Sequence, residues 1–183
     1  MNGHHLVMGT LTDYLSGELL PDTHDERYRQ KIARLMVGKK GFLKNEIVSR
    51  CRLTIIACEK RAIIPIDFKV ILSGKDCMVI KYGPGSLVTR RRTILAASRL
   101  LSPYQIPIAV VTNGEDAEII DASTGKVIAE SLESIPSKDE LVQIASTHSF
   151  APITQGRAEM ESRIMYAFEV DGSCPCDDTI CRI

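Results

Sequence analysis

The sequence predicts an α/β fold in which a mixed central β-sheet is flanked by helices. Residues 65–83 predict a hairpin, because two runs rich in β-branched residues flank a Ser-Gly-Lys-Asp turn at residues 73–76. Both arms are nearly continuous in apolar residues, which is typical of strands that are covered on two faces. A helix from about Leu87 to Leu101 leads to a buried strand from Ile106 to Thr112. This order predicts a right-handed crossover, so the later strand should lie parallel to the second arm of the hairpin.

Caps, turns and hydrophobic periodicity predict the remaining elements. Before the hairpin these are a short amphipathic helix within residues 8–20 that ends at Pro21, a helix that begins in a capping box at residues 23–26 and ends near Val37, a short helix over 44–49 and a strand over 51–56. After the strand that ends at Thr112 they are a second hairpin over 117–128, a helix that begins in a capping box at 137–140 and ends near Thr147, and an amphipathic helix over 156–170. Together with the hairpin they predict helices on both faces of the sheet.

Several short stretches of the sequence carry a resemblance to a known family. They are residues 65–68 (PIDF), 78–80 (MVI), 84–87 (PGSL), 107–114 (PIAVVTNG), 124–128 (TGKVI) and 135–137 (IPS). Together they resemble the N-terminal domain of type I restriction enzyme R subunits, a branch of the PD-(D/E)XK nuclease superfamily, and its small stand-alone relatives. The resemblance implies a restriction-endonuclease-like core. It divides the chain into an N-terminal extension (1–22), a nuclease-like α/β domain (23–147), and a C-terminal helix with a cysteine-rich tail (148–183).

The resemblance also implies an active site, and this sequence departs from it. The family places an Asp on the first strand of the hairpin and a Glu-X-Lys on the second. Asp67 matches the Asp, whereas Lys81 stands where the Glu is expected and Gly83 stands where the Lys is expected. In this fold a Glu on the first helix often joins the metal site, so Glu26 is a further candidate. As a member of the capping box, Glu26 needs no such role.

These replacements predict the loss of ordinary nuclease activity. Cleavage in this fold needs clustered carboxylates to hold a divalent cation and a Lys to orient or activate water. An ammonium at position 81 repels a cation, and Lys81 is expected to pair with Asp67 across the hairpin. The alternative is a rearranged site in which Glu26 and Asp67 bind Mg²⁺ while Lys81 swings in. No other cofactor is predicted at this site.

A binding function is expected to remain. Lys69, Lys81 and the run Arg90, Arg91 and Arg92 are candidates for a patch that meets the phosphates of nucleic acid. Three cations near a helix N-terminus oppose the helix dipole, which favours an anion nearby. The alternative is a solvated face that only improves solubility. Aromatic residues make up 5% of the chain with no Trp, which argues against a stacking platform for single strands.

The six cysteines form two groups. Cys51, Cys58 and Cys77 fall in or near predicted strands and are expected to be small buried hydrophobic residues. Cys174, Cys176 and Cys181 crowd the last ten residues. Their spacing is one ligand short of a common zinc site, so the alternatives are Zn²⁺ or another soft metal with a ligand from elsewhere, redox exchange, or an inert tail.

Composition limits the classes of partner. The chain has 23 Lys and Arg against 23 Asp and Glu, so any attraction to DNA must come from local clustering. No apolar run approaches the roughly 20 residues of a membrane span and no secretory signal is recognised, so a cytoplasmic protein without a membrane partner is expected. The functions left open are a non-catalytic nuclease-like domain that binds DNA, a protein partner or itself, an active metal-dependent nuclease, and a metal or redox protein built on the same scaffold.

Overall fold

The computed structural model describes residues 6–171 and the backbone of residues 181–182. Its strands are β1 (Thr10–Thr12), β2 (Leu19–Pro21), β3 (Ile47–Ala57), β4 (Lys60–Leu72), β5 (Lys75–Tyr82), β6 (Ile108–Thr112), β7 (Ala117–Asp121), β8 (Lys126–Glu130) and β9 (Cys181–Arg182). Its α-helices are α1 (His24–Gly38), α2 (Arg91–Leu100), α3 (Lys138–Thr147) and α4 (Gln155–Tyr166), and a π-helical turn over Ala167–Asp171 continues α4. Short 3-10 turns occupy Lys44–Glu46, Val88–Arg90 and Leu132–Ser134.

The central sheet is mixed, which confirms the predicted fold class. Its strand order is β3-β4-β5-β6-β7-β8, with β9 paired to β4. The β5–β6 pair is parallel, as the helical crossover through α2 predicts, and every other pair is antiparallel. The predicted β4–β5 hairpin turns at Ser73 and Gly74, which both have positive φ values, the conformation that a two-residue type I′ turn requires.

Two hydrophobic clusters lie on opposite faces of the sheet. One contains Ile32 of α1 and Leu141 of α3, and the other contains Ile94 of α2 and Met165 of α4. Helices therefore cover both faces, which explains the continuous apolar runs Cys77–Ile80 in β5 and Ile108–Val111 in β6.

Strand β4 changes face at Asp67. Ala62, Ile64 and Ile66 belong to the cluster on the α2 and α4 face, whereas Phe68, Val70 and Leu72 belong to the cluster on the α1 and α3 face. Side chains two residues apart normally share a face, so the strand must twist sharply between Ile66 and Phe68. On β3 the residue opposite Asp67 is Arg50, which has a φ of 53° in the left-handed region. The irregularity therefore spans both strands and turns Asp67 and Arg50 towards α1.

The N-terminal segment is a β-hairpin, so the short helix predicted within residues 8–20 is wrong. Strands β1 and β2 pair in an antiparallel manner across a turn that contains Gly17 at a φ of 80°. The Asp13 carboxylate accepts a hydrogen bond from the Ser16 hydroxyl at 2.8 Å, which stabilises the turn instead of a helical one. The amphipathic run was too short to outweigh these turn signals.

Two further expectations need correction. The helix predicted over 44–49 is a single 3-10 turn, because strand β3 already begins at Ile47. Cys77 is buried and Cys51 is half-buried as expected, but Cys58 is exposed because it lies in the turn between β3 and β4 at a φ of 56°. Within the described residues, no helix is long and apolar enough to cross a membrane.

Candidate functional site

Asp67 lies where β4 and β5 separate. Its side chain is 8% exposed, and both carboxylate oxygens are engaged. Oδ1 accepts a hydrogen bond from Nε of Arg29 at 2.6 Å, and Oδ2 accepts one from the backbone N–H of Tyr82 at 2.7 Å. The β4–β5 ladder ends at the pair Phe68–Ile80, so the carboxylate replaces the next strand partner of the Tyr82 amide. Asp67 thus holds the open end of the hairpin together and also anchors α1 to it.

Strand β9 pairs with a part of β4 that is not paired with β5. Ala62 pairs with Arg182, and Ile63 pairs with Cys181, in antiparallel register. The ladder between β4 and β5 starts only at Phe68, so β4 has a free edge before that residue. The C-terminal strand covers that edge at residues 62–63.

Glu26 lies beside Asp67 on the first turn of α1. The Thr23 hydroxyl accepts the Glu26 amide at 3.1 Å, as the capping box predicts, but the Glu26 carboxylate does not complete the box. Instead, its Oε1 accepts hydrogen bonds from Arg50 at 2.6 Å and from Gln30 at 2.8 Å. The carboxylate is therefore turned into the protein, towards the site that the resemblance implies.

Asp13 is a third carboxylate of this cluster. It is 2% exposed, and it accepts hydrogen bonds from Gln30 at 2.7 Å and from Arg50 at 3.1 Å. Burial raises the pKa of Asp13, but the hydrogen bonds from Gln30 and Ser16 and the charge of Arg50 outweigh it and bring the pKa to about 2. Sequence reasoning missed Asp13, because nothing local to residues 8–20 indicates a partner on α1 or β3.

We expect Asp13 to contribute to stability at neutral pH and to lose that contribution in acid. Its pKa is about 2 in the folded state against an ordinary value of 3.8, so the unfolded chain takes up the proton first as the pH falls. The contribution, about 2 kcal/mol, should be complete above about pH 5 and be lost as the pH falls through about 2. Urea unfolding of the wild type and of Asp13→Asn at several pH values measures it. The difference between the two proteins should shrink as the pH falls; a difference that stays constant would contradict the assignment.

Two arginines bridge the three carboxylates. Arg29 pairs with Asp67, and its Nη1 lies 3.7 Å from Oε2 of Glu26. Arg50 pairs with Glu26 and with Asp13. Burial lowers the pKa of Arg29, but the charge and hydrogen bond of Asp67 and the charge of Glu26 raise it overall. Both guanidinium groups are therefore fixed positive charges between the acidic side chains.

A magnesium ion does not fit this arrangement of donors. Mg²⁺ needs carboxylate oxygens that converge on one point and are free to coordinate. Here both oxygens of Asp67 and of Asp13, and Oε1 of Glu26, already accept hydrogen bonds, and Oε2 of Glu26 lies 3.7 Å from Nη1 of Arg29. No group of three or more His, Cys, Asp or Glu side chains in the described part of the chain is arranged to hold a metal ion.

Tyr82 closes the cluster on the side of α1. Its hydroxyl donates to Asp25 at 3.0 Å, and its ring stacks on Tyr28 with centroids 5.8 Å apart. The guanidinium of Arg29 lies over the same ring at 5.3 Å. Burial and the acceptor Asp25 raise the pKa of the Tyr82 hydroxyl well above its ordinary value, so it stays a protonated donor.

Lys81 does not pair with Asp67, so that prediction is wrong. Its Nζ lies 3.1 Å from Oε2 of Glu169 in the π-helical turn, and it donates to the carbonyl of Pro65 at 3.1 Å. Lys81 follows Val79 on the face of β5 that packs against α2 and α4, whereas the twist at Asp67 turns that carboxylate towards α1. The two side chains therefore serve opposite faces, although their backbones are close.

The guanidinium of Arg90 fills the space beside Gly83. A Cβ built on Gly83 would lie 2.2 Å from Nη1 of Arg90, and Nη2 of Arg90 donates to the Pro84 carbonyl at 2.9 Å. Arg90 therefore occupies the volume that a side chain at position 83 would need. A lysine at this position would have to displace it.

The other cations predicted to meet phosphates are paired with acidic side chains. Arg91 binds Glu118 through two nitrogens, Arg92 lies 3.0 Å from Glu161, and Lys69 lies 3.1 Å from Asp76. The sequence could not show these partners, since each acidic residue belongs to a different element. The structure thus brings Lys69, Arg91 and Arg92 to carboxylates on separate elements rather than to one shared open patch.

The structure describes little of the three C-terminal cysteines that are predicted as metal ligands. Cys174 and Cys176 lie outside the described residues, and Cys181 is described only through the backbone of β9. A role for them in binding Zn²⁺ or another soft metal stays a prediction.

The fold and the site define the protein as an α/β domain in which the open end of a hairpin meets a buried cluster of acidic side chains. The model of the family described as type I restriction enzyme R protein N terminus matches residues 24–136, more than half of the chain. The chain therefore belongs to this family. No significant match was found among curated proteins or among solved structures.

Proposed function

We propose that this domain keeps the fold of its family but has lost phosphodiester cleavage, and that it binds nucleic acid without cutting it. The observation that carries the proposal is the ion pair between Arg29 and Asp67 at 2.6 Å. Asp67 is the residue that matches the family's metal-binding Asp, and its partner is a guanidinium rather than an open coordination site.

The charges of the cluster support the same conclusion. The cluster contains three negative charges, on Asp13, Glu26 and Asp67. Two positive charges, on Arg29 and Arg50, lie among them. To admit a divalent cation, the protein would have to expel both guanidinium groups from carboxylates that are nearly buried. Separating such pairs without replacing both charges is costly, which favours the ion-paired state.

Positions 81 and 83 support it independently. The Lys81 ammonium is held by Glu169, and the space beside Gly83 holds the Arg90 guanidinium. Position 83 therefore has no amine to activate water. Position 81 provides an ammonium in place of a second carboxylate beside Asp67. Binding of nucleic acid, with a protein partner as the second candidate, is the role that family membership leaves for an uncleaving domain.

Incubation of the protein with supercoiled plasmid and linear duplex DNA, in the presence of Mg²⁺ or Mn²⁺, tests the loss of cleavage. We expect both substrates to remain intact while the protein retards their migration in a gel. The matched control is Asp67→Ala. Cleavage by the wild type that disappears in this variant would show an active metal-dependent site and overturn the proposal.

Removal of the two arginines should uncover a divalent-cation response that the wild type lacks. In the double variant Arg29→Ala/Arg50→Ala, three uncompensated carboxylates repel each other and favour a hard cation. Mg²⁺ should then raise the thermal midpoint of the variant, by the equivalent of about 2.7 kcal/mol at a concentration 100-fold above its dissociation constant. Thermal unfolding followed by circular dichroism, with and without Mg²⁺, measures the shift. A wild type that responds as strongly as the variant would contradict the blocking role of the arginines.

A further inference from the structure

Five cations cluster on the C-terminal half of α1 and the turn after it. They are Lys31, Arg34, Lys39, Lys40 and Lys44, which together we call the α1 basic surface. Lys31, Arg34 and Lys39 line one groove with Glu133, and Arg34 and Lys44 both lie over the ring of Tyr14. The five side chains therefore form one continuous surface, on the part of α1 that continues past the ion-paired cluster.

The groups of this surface are oriented but not neutralised. The Lys31 ammonium donates to the Gly114 carbonyl at 2.8 Å, Lys40 donates to the Glu133 carbonyl at 2.6 Å, and Lys44 donates to the Tyr14 carbonyl. None of the five cations has a carboxylate within 4 Å among the residues that the structure describes, so no adjacent acid offsets their charges. An ammonium has three donors, so the lysines that use one keep two for a ligand.

This state differs from that of several cations elsewhere, which are paired with carboxylates. Arg27 on the same helix binds Asp22 through two nitrogens at 2.7 Å, and Arg91 binds Glu118 in the same manner. In a chain with equal numbers of acidic and basic residues, this clustering leaves a local excess of positive charge. Cations are favoured near the last carbonyls of a helix, which accounts for Lys39 and Lys40 directly after α1. It does not account for Lys44, which lies in the following 3-10 turn.

The groove itself is smaller than an ordinary small-molecule pocket. It encloses about 250 Å³ between α1 and the turn at Leu132–Glu133. Its apolar floor consists of Ile32, Leu35 and Leu132, of which Ile32 is 0% exposed and Leu132 is 4% exposed. Three cations, Lys31, Arg34 and Lys39, and only one acidic residue, Glu133, line the groove, so its charge favours an anionic partner.

We propose that the α1 basic surface binds the phosphate backbone of double-stranded nucleic acid, independently of base sequence. This inference rests on the proposed function and locates its binding site. The eight helical steps from Lys31 to Lys39 rise about 12 Å, a length that spans two or three phosphates of one strand. The contacts are ionic, so binding weakens steeply as salt rises.

The test is a salt titration of binding to a short mixed-sequence DNA duplex, measured by fluorescence anisotropy. Arg34→Gln/Lys39→Gln removes two exposed cations of the surface. Its matched control is Arg27→Gln/Lys126→Gln, which removes the same charge at two exposed positions outside the surface. We expect the first variant to bind more weakly and to lose about 2 from the slope of log affinity against log salt. The control should keep the slope of the wild type.

The outcomes separate this inference from the proposed function. A wild type that does not bind the duplex at all overturns both. A wild type that binds the duplex, with a surface variant that behaves like the control, overturns only the location on α1. A polyglutamate peptide serves as the second probe, and binding of it as tight as that of the duplex would overturn nucleic acid as the ligand.

Discussion

Substitution of Glu161 by Gln is expected to reduce the free energy of unfolding by about 3–5 kcal/mol, the usual result of removing one member of a buried ion-pair network. Glu161 of α4 is 0% exposed and lies among three guanidinium groups. Its Oε1 accepts hydrogen bonds from Arg99 at 2.6 Å and from Arg157 at 2.7 Å, and its Oε2 lies 3.0 Å from Arg92. Burial raises the pKa of Glu161, but the charges of Arg99 and Arg92 and the hydrogen bonds lower it overall, so the side chain stays ionised at neutral pH.

The neutral amide would leave these three positive charges without a counter-ion at the contact between α2 and α4. Arg99 suffers most, because it is itself buried. Urea unfolding followed by far-ultraviolet circular dichroism measures the loss. Glu159→Gln makes the same change on the exposed side of the same helix and should alter stability by less than about 0.5 kcal/mol. Equal effects of the two substitutions would show that the network contributes nothing.

Local signals in the sequence were enough for most of the fold. The Ser73–Gly74 turn sets the central hairpin, the hydroxyl of Thr23 begins α1, and Ser137 with Glu140 forms the capping box of α3. The parallel placement of β6 follows from a handedness rule that needs only the order of the elements. Each of these features depends on residues that are close in the chain, or on chain connectivity alone.

The partners of charged side chains could not be predicted in this way. Lys81 and Asp67 are close in the hairpin, and the regular alternation of a strand would put them on one face. The twist of β4 at Asp67, opposite the left-handed Arg50, separates them, and Glu169 lies 88 positions after Lys81. Such a partner is set by tertiary packing.

The sequence predicted two acidic residues of the candidate site, but not that arginines pair with them. Asp67 and Glu26 were found from the resemblance, and the structure brings both to Arg29. The three residues Asp13, Gln30 and Arg50, which complete the cluster, carry no sequence signal of that role. The spacing of Glu26 and Arg29, three residues apart on one helix face, was the one local indication that an arginine stands among the acids.

Restoring the family's acidic residue by Lys81→Glu is expected to destabilise the domain rather than activate it, by about 3–5 kcal/mol. Lys81 is 5% exposed, so the new carboxylate would face Glu169 and the Pro65 carbonyl in a nearly buried position. Like charges at that distance repel, and neither neighbour can donate a hydrogen bond to the new side chain. Urea unfolding of the variant measures the cost, and a plasmid cleavage assay with Mg²⁺ should show no activity.

The charge-swapped variant Lys81→Glu/Glu169→Lys distinguishes loss of the ion pair from loss of packing. If the pairing of opposite charges is what position 81 requires, the swap should recover at least half of the stability that Lys81→Glu loses. The apolar pair Lys81→Met/Glu169→Met should also be tolerated, since replacing both members of a buried pair is often close to neutral. A swap as unstable as the single variant would mean that the carbonyl of Pro65, which only a cation can satisfy here, decides the residue at position 81. In either case the lysine serves the contact between the sheet and the end of α4, and the acid of the motif cannot return without a compensating change on that helix.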